Sequence, residues 1–172
     1  YEYIKEFRKK FNQSHGQEGA FIVASNLSAG ISKKFPIDQP IWCNMYDSLG
    51  YAGVLSTGAT ANANTDVDAE GDLPSTCESE FLIVVTNTTQ NDVKYGSAGY
   101  GSKSVDLGAP GDGSTSTADP IGYASFGGTS CATPHVTGAI ALMYAASTCA
   151  LETTYMDYPV ESARAVRNAI LN

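Results

Sequence analysis

Gly127-Gly128-Thr129-Ser130-Cys131-Ala132-Thr133-Pro134-His135-Val136-Thr137-Gly138-Ala139-Ile140-Ala141-Leu142 changes character halfway along. Its first half is small and polar; its second half is almost continuously small or apolar. A smooth segment of that kind predicts a helix buried on all sides. Thr129 is the expected N-cap, which puts Ser130 at the mouth of the first turn. Unpaired backbone N–H groups and the positive end of the helix dipole meet at that position. A hydroxyl there can attack a carbonyl while its own N–H holds the oxygen that becomes negative. Pro134 lies close enough to the helix start that its missing N–H costs little. The plainer reading is a capped core helix that happens to begin with a threonine and a serine.

The run from Gly128 to Ala139 resembles the nucleophile motif of the subtilisin-like serine proteases, G-T-S-M-A-x-P-H-V-x-G, with Cys131 where the family usually carries Met. The resemblance implies an α/β, three-layer subtilisin-like fold with a mostly parallel central sheet. It makes Ser130 the nucleophile and sets Gly128 and Thr129 against the substrate. Asn26-Leu27-Ser28-Ala29-Gly30 is similar to the family's N-M-S-L-G stretch, which pairs with the substrate backbone as an added strand. Ser28, Ala29 and Gly30 are thereby implied substrate contacts. Aligned from Gly53, the segment ending at Asn62 resembles G-V-V-V-V-A-A-A-G-N, whose last residue donates to the oxyanion. Ala61 stands where the family has Gly, which keeps Asn64 as the alternative donor. A side-chain amide has the N–H such a role needs; a carboxylate does not. In that alignment Ala59, Thr60 and Ala61 line the pocket for the substrate side chain before the cut. Val105-Asp106-Leu107-Gly108-Ala109-Pro110-Gly111 resembles L-D-V-x-A-P-G.

With 172 residues the chain is about one domain, residues 1–172 being read as a single unit with enough length for a core. No apolar run approaches the roughly 18–20 residues that span a bilayer. The net charge is −8, and between residues 35 and 160 only Lys94 and Lys103 are basic. That balance argues against nucleic acid or an anionic membrane as partner, and leaves a peptide or protein substrate as the one the family implies.

Going outward from the motif, Ile4, Phe7 and Phe11 recur at helical spacing among charged residues that include Arg8, an amphipathic helix. Ala20 to Ala24 reads as a buried strand, Ile41 to Leu49 as a helix stopped by Gly50, Val54 to Ala59 as a second strand and Phe81 to Thr86 as a third. Helix then strand with short connections argues for a parallel sheet. Gly111 to Pro120 reads as loop and Val160 to Leu171 as a closing helix. Asp66, Asp68, Glu70 and Asp72 alternate through an acidic loop, expected to be solvated. The loop starts like an EF-hand but has Cys77 where the twelfth-position Glu belongs. No cofactor is required, and calcium is expected at most as a structural ion, as in many relatives.

The four cysteines are Cys43, Cys77, Cys131 and Cys149. Cys43 and Cys77 border predicted elements and can pair across the long loop between them. Cys131 and Cys149 lie about five turns apart along one helix and cannot meet. The alternative is four free thiols. A disulfide, like the family resemblance, implies a secreted or extracytoplasmic setting.

A serine hydrolase needs a base near its nucleophile. Only two histidines exist, His15 and His135. His135 is five residues past Ser130, some 140° round the helix at about 100° per residue, and points away. His15 lacks the family's H-G-T-H-V-A-G setting. The chain is therefore expected to be the C-terminal part of a catalytic domain, with the N-terminal part missing and the Asp and His supplied by the N-terminal remainder of the same chain. An α/β-hydrolase is excluded because no histidine follows His135. A non-catalytic subtilisin-like module that binds peptides through the Ser28 strand is the remaining alternative.

Overall fold

The computed structural model describes residues 1–146 and 154–172. Four strands make a parallel sheet in the order β1 (Ala24–Leu27), β3 (Leu55–Ala59), β5 (Leu82–Thr88) and β6 (Leu107–Pro110). Strands β2 (Ile31–Ser32) and β4 (Asp72–Leu73) form a small antiparallel ribbon, with Ser32 opposite Asp72. Helix α1 (Glu2–Gln13) precedes the sheet. Helices α2 (Pro40–Gly50) and α3 (Val67–Glu70) lie in the crossovers. Helices α4 (Thr129–Ala145) and α5 (Pro159–Leu171) follow the last strands.

Strand β5 shows why the layers form. Ile83 and Val85 face a core made with Ala132, Val136 and Ile140 of α4 and with Ala163 and Val166 of α5. Leu82 and Val84, on the opposite face, pack with Cys43 and Tyr46 of α2 and with Leu73. A strand buried on both faces needs no polar alternation, as its apolar sequence foretold. A disulfide joins Cys43 to Cys77, tying α2 to the loop after β4, and Cys131 is a buried free thiol. Cys149 lies outside the described residues.

Several local expectations are corrected. The first strand begins at Ala24, not Ala20. Phe21 leaves the sheet line to pack against Phe11 and Tyr155, and its ring lies 4.4 Å from the Arg8 guanidinium. Arg8 belongs to the buried side of α1. It is wholly enclosed, donating to Asn12 Oδ1 (2.8 Å), Ile22 O (2.8 Å) and Tyr155 O (3.1 Å), and burial lowers its pKa to about 10. Gly50 does not stop α2 as a C-terminal glycine. It is the last helical residue, with Tyr51 as the C-cap, and a Cβ there would fall within 1.9 Å of the Phe81 ring, so close packing is what requires it. The segment read as loop after Gly111 carries strand β7 (Ser114–Thr117), paired antiparallel with β8 (Tyr123–Phe126). Both strands are largely exposed, so backbone pairing holds them without an apolar face that a sequence pattern could reveal.

Helix α4 is not buried on all sides. Ala132, Val136, Ile140 and Tyr144 turn inward at four-residue intervals, whereas Pro134, His135, Ala141 and Leu142 are exposed, Leu142 to 70 %. The sheet covers only one stripe of the helix, and the opposite stripe stays exposed. Gly128, not Thr129, is the N-cap, with φ 88°. Thr129 is the first helical residue, and its hydroxyl turns sideways to donate to Thr60 O at 2.6 Å.

Candidate active site

The C-terminal ends of β1 and β3 and the N-terminus of α4 come together at one place. In open parallel sheets that edge is where ligands bind, because the loops leaving the strands part there. A cleft of about 180 Å³ lies between them. Its walls are Ser28, Ala29 and Gly30 on one side and Ala59, Thr60, Ala61 and Asn62 on the other, with Thr129 and Ser130 at the helix end. All the residues picked out from the sequence as substrate contacts are on this surface except Gly128. That glycine sits behind Asn62: a Cβ there would meet Asn62 Oδ1 at 2.7 Å. Its positive φ and that close approach together explain why no side chain stands at the position.

Ser130 and Ser28 are joined twice. Ser130 Oγ donates to Ser28 O at 3.1 Å, and Ser28 Oγ donates to Ser130 O at 3.0 Å. A carbonyl accepts the hydroxyl hydrogen without taking it, so this contact positions Ser130 but does not activate it. At the start of α4, Thr129 N–H is taken by Asn62 Oδ1, and the N–H groups of Cys131 and Ala132 by Gly128 O. Ser130 N–H has no acceptor among the described residues and is left at the positive end of the helix.

The Asn62 amide is oriented by its oxygen. Oδ1 accepts from Thr129 N–H at 2.9 Å and lies 3.0 Å from Thr129 Oγ1. An amide oxygen held by a donor turns the two Nδ2 hydrogens the other way. Asn64 carries Lys94 Nζ on its oxygen at 3.0 Å and does not line the cleft, whereas Asn62 does. Neither histidine belongs to the cleft. His135 Nδ1 lies 2.9 Å from Cys131 O, and its ring lines a separate hollow with Ser114, Thr115 and Phe126. His15 is exposed just after α1.

The acidic loop divides. Asp66 caps α3 by accepting from the N–H groups of Asp68 and Ala69, and Asp68 accepts from those of Lys103 and Ser104. Both carboxylates face backbone N–H groups, so the alternating acids do not converge as a calcium loop requires. Among the described residues no group of three or more His, Cys, Asp or Glu side chains is placed to hold a metal ion. Asp72, expected to be solvated, is instead 2 % exposed and lines the cleft together with Ser32. Ala61 N–H and Ser75 Oγ donate to its Oδ2 at 3.1 and 2.6 Å. Burial pushes its pKa up, and bonds from Ser75, Ala61 and Ser32 pull it partly back. Sequence reading missed Asp72 and Ser32 because neither belongs to a recognised motif. The available signal was an acid directly before Leu73-Pro74, an apolar break in an otherwise polar loop.

Comparison with known proteins gives the family and agrees with the fold. The model of the subtilase family matches residues 6–172. An extracellular protease of Xanthomonas campestris is 32 % identical over 109 residues, 58 % of this chain and 18 % of that protein. Thermitase of Thermoactinomyces vulgaris is 49 % identical over 61 residues, 36 % of this chain and 22 % of that protein. A cold-adapted subtilisin-like serine proteinase of known structure superposes with a TM-score of 0.65 at 24 % identity, over 95 % of this chain and 51 % of its own. The chain thus spans about half of that solved structure and less than a quarter of either of these relatives.

Proposed function

The chain belongs to the subtilase family, and from that premise we propose that it carries the nucleophile half of a serine endopeptidase site. The observation that carries this reading is the meeting, in one cleft, of Ser130 at the start of α4 and an Asn62 amide whose oxygen is tied back by Thr129. Ser130 Oγ attacks the scissile carbonyl and forms the acyl-enzyme. The negative oxygen of the tetrahedral intermediate is held by Ser130 N–H and Asn62 Nδ2, both fixed before substrate arrives, and by the dipole of α4. Ser28, Ala29 and Gly30 hold the peptide backbone, with Thr129 beside the reacting carbonyl; Gly128 supports Asn62 from behind. Ala59, Thr60 and Ala61 receive the side chain before the cut. No step calls on a cofactor.

The base is the part these residues do not provide. Ser130 Oγ contacts a carbonyl, and neither His15 nor His135 lines the cleft. A His and its orienting Asp come from a segment N-terminal to residues 1–172 of the same protein. The Cys43–Cys77 disulfide and the extracellular relative support a secreted setting.

Treating the full-length protein with a fluorophosphonate and mapping the adduct tests the reading. A single adduct on Ser130 is expected. A folded full-length protein that takes no adduct would instead favour a module that binds peptides without cutting them.

A further inference from the structure

Asp72 is the one charged side chain on the cleft wall. It is 2 % exposed, and none of the ion pairs among the described residues includes it. The bonds from Ala61 N–H and Ser75 Oγ both fall on Oδ2, and the Ser32 hydroxyl faces the carboxylate from the opposite strand. An asparagine oxygen would accept both bonds equally well, so local structure does not require the negative charge. A carboxylate withdrawn from water without a cation is costly, and buried charges are ordinarily paired. Here the open side of the carboxylate is the cleft.

The position within the cleft narrows what can fill it. Asp72 is clamped to one wall by Ala61 N–H, and through the β2–β4 ribbon it stands opposite Ser32, which continues the other wall beyond Gly30. Its burial puts it at the closed end of the cleft, not the rim. Apart from Asn62 and Asp72 the lining is alanines, a glycine and short hydroxyl residues, with no large side chain to block a slender aliphatic stem. A lysine or arginine has that stem and a cation at its tip.

We propose that this cleft takes the basic side chain, Lys or Arg, of the residue before the cut, and that Asp72 is the carboxylate that selects it. The proposal rests on the endopeptidase reading and gives it a substrate class.

The test uses the full-length protein and peptides that differ only in the residue before the cut: Arg, Lys, Leu, Phe or Glu. The Arg and Lys peptides are expected to exceed Leu and Phe by at least about tenfold in kcat/KM. Asp72→Asn, which keeps both bonds on the side-chain oxygen, is expected to lower the Arg-to-Leu ratio by about 10²-fold, as loss of one partner of a desolvated charge pair does. A wild-type preference for Leu or Phe overturns the proposal, and so does a variant that slows every peptide equally, which would mark Asp72 as structural. Calorimetry with agmatine, a guanidinium on an alkyl stem, reads the pocket without catalysis. Binding to wild type that Asp72→Asn abolishes supports the cation pocket even if no peptide is cut and the endopeptidase reading fails; no binding to wild type overturns it.

Discussion

Asn62 and Asn64 share one side chain, stand two residues apart, and have opposite fates. Asn62 is bonded to the first turn of α4, while Asn64 accepts from Lys94 away from the cleft. Asn62→Ala in the full-length enzyme is expected to lower kcat by about 10²–10³ with little change in KM, the loss established for the corresponding donor in subtilisin. Asn62→Asp keeps an acceptor for Thr129 N–H but replaces Nδ2 by a second oxygen, and it should fail at least as badly. Asn64→Ala should leave kcat near wild type; the reverse outcome would displace Asn62 from the oxyanion site. Asp72 yields a prediction about pH. Burial raises its folded pKa above the ordinary carboxylate value. Between those two values the folded chain holds a proton that the unfolded chain has released. That contribution to stability is therefore present in acid and lost as pH rises through the folded pKa. Asp72→Asn should gain thermal midpoint relative to wild type as pH rises through that window, then level off. A difference between the two melting curves that stays constant from pH 3 to 8 would contradict it.

At the level of elements, the long connection between α2 and β5 is organised by two features. The Cys43–Cys77 disulfide closes a separation of 34 residues. Replacing both cysteines by serine should cost about 2–4 kcal/mol, mainly by freeing the unfolded chain, and should appear as a lower urea midpoint. An unchanged midpoint would mean the packing of Cys43 and Cys77 against Tyr46 and Leu73 alone fixes this region. Gly50 is the second feature. Because its absent Cβ leaves room for Phe81, Gly50→Ala should destabilise by about 1–3 kcal/mol despite alanine's better helix propensity. A stabilised variant in thermal melts would show that Phe81 can move aside. Element types were legible where apolar residues recur with a helical period, as in α1, or run unbroken, as in β5. The β7–β8 hairpin was not legible, because exposed Ser and Thr pair through backbone groups that every residue has.

Across the whole molecule, α4 keeps one stripe exposed and Ser130 has no base beside it among the described residues. Residues 1–172 alone should cleave no peptide in ordinary assays, since oxyanion donors without a base leave only about 10³–10⁴ over water in enzymes of this type. Adding the N-terminal segment in trans should restore cleavage and protect Leu142 and its neighbours from solvent, read by hydrogen exchange along α4. Ser130-dependent cleavage by residues 1–172 alone would overturn this division of labour. The sequence by itself determined the family motif around Ser130 and the parallel sheet, and it offered Cys43 and Cys77 as a pair beside the alternative of free thiols. The motif is written in neighbouring residues and the sheet in the order of helix and strand along the chain. Only the tertiary structure set Asn62 and not Asn64 on the cleft, enclosed Arg8, and turned Asp72 from a member of an acidic run into the wall of that cleft. Those outcomes depend on which side chain a distant segment meets: Thr129 at Asn62, Tyr155 at Arg8 and Ala61 at Asp72. Local sequence carries no record of such meetings, because burial and hydrogen bonding between segments are set only when the chain closes on itself.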